Sequence, residues 1–155
     1  MPKFKIAGVQ MDIRFADIEA NLESMKEKLV QTCAAGAWLT VFPECTTTGY
    51  CFGTLEQAKK VAEPITGSTV SRVVELAAEH DTRIVFGFLE SEGDVVFNSL
   101  ALVDASGVRG CYRKVHLPTL GVDRFTTAGT EFPVVELDEM NIGLNICYDL
   151  SLIHI

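Results

Sequence analysis

Apolar residues follow two rhythms along this chain, a period near two and a period near 3.6, and the rhythm changes at Gly and Pro residues. Residues 3–11 carry Ile6, Ala7, Val9 and Met11 with little alternation, which predicts a first strand buried on both faces. Asp17 offers a helix N-cap. Ile18, Leu22, Met25, Leu29 and Cys33 follow at spacings of four, three, four and four, one apolar stripe of a helix. Gly36 is placed to end that helix in a left-handed conformation. Residues 38–44, "WLTVFPE", predict a second strand that Pro43 stops, since proline cannot donate to a ladder. Strand, helix, strand in this order predicts parallel pairing through a right-handed crossover.

Residues 45–54 ("CTTTGYCFGT") have loop character, and "LEQAKKVAEPI" predicts a short helix ended by Pro64. Ser68 or Thr69 is placed to cap a helix carrying Val70, Val73, Val74 and Ala77. Residues 83–90, 94–104 and 107–113 then read as consecutive antiparallel strands separated by the short turns "SEG" and "ASG". Residues 117–132 have no clear period and predict a long ordered loop, a common place for substrate contacts. Two strands follow, 133–137 and 141–147. Without a repeat or a flexible linker, the pattern predicts one α/β domain with a mixed sheet.

Composition narrows the function classes. A chain of 155 residues with 48% hydrophobic and 22% charged residues is globular and long enough for a real core. The net charge of −8 argues against a nucleic-acid partner, which calls for a basic face. No apolar run approaches the ~20 residues that cross a bilayer, and the N-terminus carries no signal-peptide pattern. The five cysteines (Cys33, Cys45, Cys51, Cys111, Cys147) include no C-x-x-C pair, and the three histidines stand singly. Neither a disulfide framework nor a metal site is indicated, and a reducing, cytoplasmic compartment is expected.

Three polar residues close apolar runs. Glu44 ends "LTVFP", Lys114 follows "CYR", and Cys147 ends "NIGLNI". Ligands of open α/β sheets bind at strand carboxyl ends, so these three groups could share one crevice. An acid, a base and a thiol form a coherent set for acyl transfer. Each also has an ordinary reading: a solvated turn carboxylate, a solvated charged face, a small core residue.

Three segments in order, "VFPECTTTGY", "CYRKVHLP" and "GLNICYDL", resemble the signature segments of the nitrilase (carbon–nitrogen hydrolase) superfamily, as do the opening "AGVQM" and "GVDRFTTAG". The resemblance implies an α-β-β-α sandwich, of which this chain is roughly the first half. It implies a catalytic triad of Glu44, Lys114 and Cys147, with no metal or organic cofactor. Cys147 would be the nucleophile, its pKa lowered by Lys114. Lys114 and the backbone N–H of Tyr148 would hold the oxyanion, and Glu44 would move the protons. Many members place a second glutamate between lysine and cysteine to position substrate; here that stretch offers Asp123 and Glu131. "CYD" resembles amidase-like branches, whereas nitrile-cleaving members more often carry "CWE". The implied partner is a small-molecule amide, and the complete protein is expected to form homo-oligomers.

The ending departs from the family pattern. "LSLIHI" is what CTG TCT CTT ATA CAC ATC encodes, a match to the transposon end used in sequencing-library preparation. The expectation is a hydrolase domain over 1–150, incomplete at its C-terminus, and a non-native tail over 151–155. A strand left uncovered in this way favours aggregation and lost activity.

Overall fold

The computed structural model describes residues 3–138 and 140–152. Five strands form the main sheet in sequence order: β1 (Ile6–Gly8), β2 (Leu39–Val41), β3 (Arg83–Glu92), β4 (Val95–Asp104) and β5 (Gly107–Arg113). β1, β2 and β3 are mutually parallel, and β3, β4 and β5 form an antiparallel meander. The parallel pairs need crossovers, which α1 (Ile18–Ala34) supplies between β1 and β2, and α2 (Leu55–Lys59) with α3 (Ser68–Glu79) between β2 and β3. Two further short strands, β6 (Val134–Glu136) and β7 (Asn141–Gly143), pair antiparallel in a second sheet.

Alternation along β3 and β4 sorts side chains onto two apolar faces. Ile84, Phe86, Phe88, Ala101 and Val103 meet Leu22, Met25 and Leu29 of α1 and Val70, Val73 and Ala77 of α3. Val85, Leu100, Leu102 and Tyr112 point the other way, against Val135, Leu137, Leu144 and Ile146 of the β6–β7 segment. The layers therefore run helix, sheet, sheet. Coverage on both faces explains why β3 reads as an almost unbroken apolar run.

Three local expectations change. The first strand is not buried on both faces: it is three residues at the sheet edge, with Ile6 56% exposed. Asp17 does cap α1 through a bond from the Ala20 amide, and Gly36 takes φ +78° after it. Neither Ser68 nor Thr69 caps α3, however. Its N-cap is Gly67, and the Glu63 carboxylate reaches back to accept the Thr69 amide at 2.9 Å. The strand expected over 141–147 keeps its ladder only to Gly143. Leu144 and Ile146 stay buried at period two, and at Cys147 the backbone turns to φ +45° and enters a 3-10 helix, Cys147–Leu152. Of the tail expected to be foreign, Ser151 and Leu152 belong to that helix, and 153–155 lie outside the described residues.

One glycine controls how closely the segment after β2 approaches β3. A Cβ at Gly87 would stand 2.4 Å from the Cys45 amide nitrogen and 2.9 Å from the Glu44 Cα. The Gly87 amide donates to the Pro43 carbonyl at 3.2 Å, so this contact places Glu44. Gly87→Ala is expected to lower stability by about 1–3 kcal/mol through overpacking of backbone on backbone. Urea unfolding with an unchanged m-value checks it.

Candidate active site

The ends of β2 and β5 and the loops that follow them converge on one buried charge. Glu44 sits three residues beyond β2, and Cys45 next to it takes φ +48°, which turns the chain away from the sheet. Lys114 follows β5 directly. Its amide donates to the Asn98 carbonyl of β4 at 2.8 Å, and its own carbonyl accepts the Gly129 amide at 2.9 Å, so its backbone is held on both sides. Gly129 has to lack a side chain there, since a Cβ would stand 2.2 Å from the Arg113 carbonyl oxygen. Asp123 lies in a 3-10 turn, Gly121–Arg124, within the loop expected to carry substrate contacts.

The side chains complete the cluster. Lys114 Nζ, with no solvent exposure, donates to Glu44 Oε1 at 2.7 Å and to Asp123 Oδ2 at 2.6 Å. The Tyr50 hydroxyl donates to the same Asp123 oxygen at 3.0 Å, and its ring lies 5.8 Å from the ammonium. Desolvation works against the Lys114 charge, but the bonds to Asp123 and Glu44 and their charges outweigh it and hold the amine above the ordinary lysine value. A buried ammonium is tolerated only when paired in this way.

Asn98 is the residue that motif reading missed. Fully buried in the middle of β4, it donates from Nδ2 to Glu44 Oε1 at 2.7 Å and to Asp123 Oδ1 at 2.8 Å. Its Oδ1 accepts from the Cys45 thiol at 3.6 Å. The signal was present in the sequence: "VFNSLALV" puts two polar residues into an otherwise apolar strand, and a buried amide needs partners. Asn98 and Lys114 both bond Glu44 Oε1, so Oε2 carries neither of these donors.

Cys147 is exposed at the turn after Ile146. Its thiol is raised above the ordinary value, first by desolvation, then by the charge of Glu44 and a hydrogen bond to it; Lys114 lowers it by less. Lys114 does lower the thiol, as expected, but desolvation and Glu44 outweigh it and the net shift is upward. One ammonium already shared by two carboxylates leaves the cluster net negative, so a thiolate gains little there.

The second-acid candidates separate. Asp123 is buried on Lys114, whereas Glu131 is exposed on the rim of a different cleft of about 590 Å³ lined by Glu90, Phe97, Cys111 and Arg113. Tyr148, next to the thiol, is 40% exposed in the 3-10 helix. Among the described residues, no group of three His, Cys, Asp or Glu side chains is arranged to hold a metal ion, and no helix is long and apolar enough to cross a membrane.

Comparison with known proteins decides the family. The carbon-nitrogen hydrolase family model matches residues 5–153. The chain belongs to the carbon–nitrogen hydrolase family. A protein described as a nitrilase from Pyrococcus abyssi is 34% identical over 146 residues, covering 94% of this chain and 56% of that one. An (R)-stereoselective amidase from a Pseudomonas species is 35% identical over 148 residues, covering 96% of this chain and 53% of that one. The crystal structure of a carbon–nitrogen hydrolase superfamily protein from Xanthomonas campestris superposes with a TM-score of 0.85 at 29% identity, covering 98% of this chain and 56% of that one. The chain thus spans about half the length of these relatives. The helix–sheet–sheet layering is that of the nitrilase-type sandwich.

The charge arrangement makes one prediction for this site. Glu44→Gln removes the charge and the bond that raise the thiol, so the pH midpoint of Cys147 alkylation by iodoacetamide moves down toward that of a free cysteine. Lys114→Met removes the one group that lowers it and moves the midpoint up. Alkylation rates followed by mass spectrometry against pH check both signs.

Proposed function

We propose that this hydrolase cleaves the carbon–nitrogen bond of small non-peptide amides, releasing ammonia through a thioester on Cys147. The observation that carries the reading is the Lys114 ammonium held at 2.7 Å from Glu44, with Glu44 near enough to the Cys147 thiol for its charge to raise it. A neutral thiol beside a carboxylate is a nucleophile with its base in place.

The steps follow from that geometry. Glu44 takes the thiol proton as the sulfur attacks the carbonyl carbon, so no free thiolate has to accumulate beforehand. The oxyanion collects against Lys114 and the backbone N–H of Tyr148. When the carbonyl re-forms, the C–N bond breaks and the proton on Glu44 passes to the departing nitrogen. Water then attacks the thioester, giving one proton to Glu44; the C–S bond breaks and the sulfur regains that proton. Asp123, buried and bonded to Lys114, Tyr50 and Asn98, anchors the ammonium and would act on substrate only through Lys114. Glu131, on a separate cleft, has no part in this scheme.

Amide is preferred over nitrile on the "CYD" sequence at 147–149, and relatives carrying both names are similar to this chain. A nitrile would form a thioimidate on the same sulfur. All five cysteines are free, which supports a reducing compartment such as the cytoplasm. Homo-oligomers are proposed for the complete protein on the family resemblance alone.

The test is turnover of short primary amides and matched nitriles by the full-length protein, with intact mass measured after rapid quench. The expected result is an acyl adduct on Cys147 with amides. Cys147→Ala, Lys114→Ala or Glu44→Ala should each cost about a thousandfold or more in rate, because groups acting as one unit are lost together. Near-normal turnover by Cys147→Ala overturns the reading, and turnover of nitriles alone reverses the choice of substrate.

A further inference from the structure

Asp149 lies two residues past Cys147, is buried, and has no role in the steps above. Its carboxylate is fully engaged. Oδ2 accepts the Tyr112 hydroxyl at 2.6 Å and the Ile146 amide at 3.0 Å. Oδ1 accepts the His116 amide at 3.0 Å and stands 2.8 Å from His116 Nδ1. The Tyr112 hydroxyl in turn accepts the Val115 amide at 3.0 Å. Burial opposes ionisation of Asp149, but the bonds from Tyr112, Ile146 and His116 outweigh it and hold the carboxyl below its ordinary range.

The partners fall into two sets. Tyr112, Val115 and His116 flank Lys114 in the chain, whereas Ile146 and Asp149 flank Cys147. The Asp149 amide also donates to the Ile146 carbonyl at 3.0 Å. Residues 146 and 149 are therefore tied by two bonds across the Cys147–Tyr148 turn. That turn holds Cys147 at φ +45°, a left-handed conformation unfavourable for a residue with a side chain and persistent only where the surroundings impose it. A carboxylate that only ended the 3-10 helix would need the Ile146 amide and nothing more. The remaining bonds reach 33 to 37 residues back and end on both sides of the lysine.

We propose that Asp149 is a positioning residue, a latch that fixes the turn bearing Cys147 to the strand end bearing Lys114 and so sets where the sulfur stands against Glu44 and Lys114. Its effect on turnover rests on the amide-hydrolase reading; its effect on the thiol does not. Asp149→Asn keeps the shape but turns an amide NH2 toward donors on one side or the other, so at least one side of the latch opens. Tyr112→Phe removes one donor and leaves the carboxylate in place.

The experiment uses the full-length protein. Asp149→Asn is expected to lower kcat on a primary amide by about a hundredfold, with KM changed less than about twofold. The pH midpoint of Cys147 alkylation should shift toward that of an unconstrained cysteine. Tyr112→Phe should move both quantities the same way by less, and it decides by the same criteria if Asp149→Asn does not fold. Folded variants with unchanged kcat and an unchanged alkylation profile overturn the latch. A shifted profile in a protein that hydrolyses no amide, wild type included, supports the latch and overturns the hydrolase reading instead.

Discussion

One ammonium without solvent exposure, Lys114, sets the terms for the rest of the site. An unpaired cation in that position would be too costly to bury, so two carboxylates have to be brought to it. One comes from the end of β2 and the other from the loop after β5. Asn98 spans both, spending its two amide protons on Glu44 and Asp123. The result is a cluster with one positive and two negative charges, in which Lys114 and Asp123 are buried and Glu44 keeps some exposure.

That imbalance gives the chemistry its character. Lys114 alone acts to lower the thiol, but desolvation and Glu44 act against it and prevail. In the proposed scheme the raised thiol keeps its proton until attack and Glu44 serves as the base. In the same scheme Lys114 receives the oxyanion, because that charge develops only as the thiol proton leaves. The backbone devices serve the same end. Gly87 lets the Glu44 segment lie against β3, Gly129 lets the Asp123 loop close over Lys114, and Asp149 ties the Cys147 turn to the β5 end.

The meander β3–β5 was legible because alternating apolar runs between tight turns allow few other pairings. Helix α1 was legible because its apolar stripe and its Asp17 cap agree. β1 was misread because an apolar run shows that residues avoid water but not how many strands lie beside them. The break before Cys147 was hidden because Leu144 and Ile146 keep the period of a strand after the ladder has ended. The resemblance of the three motifs picked out Glu44, Lys114 and Cys147, but it could not say which acid between lysine and cysteine reaches the site. That choice depends on the 3-10 turn at Gly121–Arg124, which has no periodic signal. The sign of the Lys114 effect on the thiol was legible, but its net direction was not, because the desolvation at Cys147 and the nearness of Glu44 that outweigh Lys114 are set by tertiary packing.

The central claim is that the nucleophile rests as a neutral thiol beside a carboxylate base. The ultraviolet thiolate absorbance of the full-length protein, taken as a difference against Cys147→Ala while pH is raised, measures this directly. The account predicts no Cys147 thiolate band at neutral pH and its appearance only above the ordinary thiol range. A thiolate band from Cys147 already present at neutral pH would contradict it.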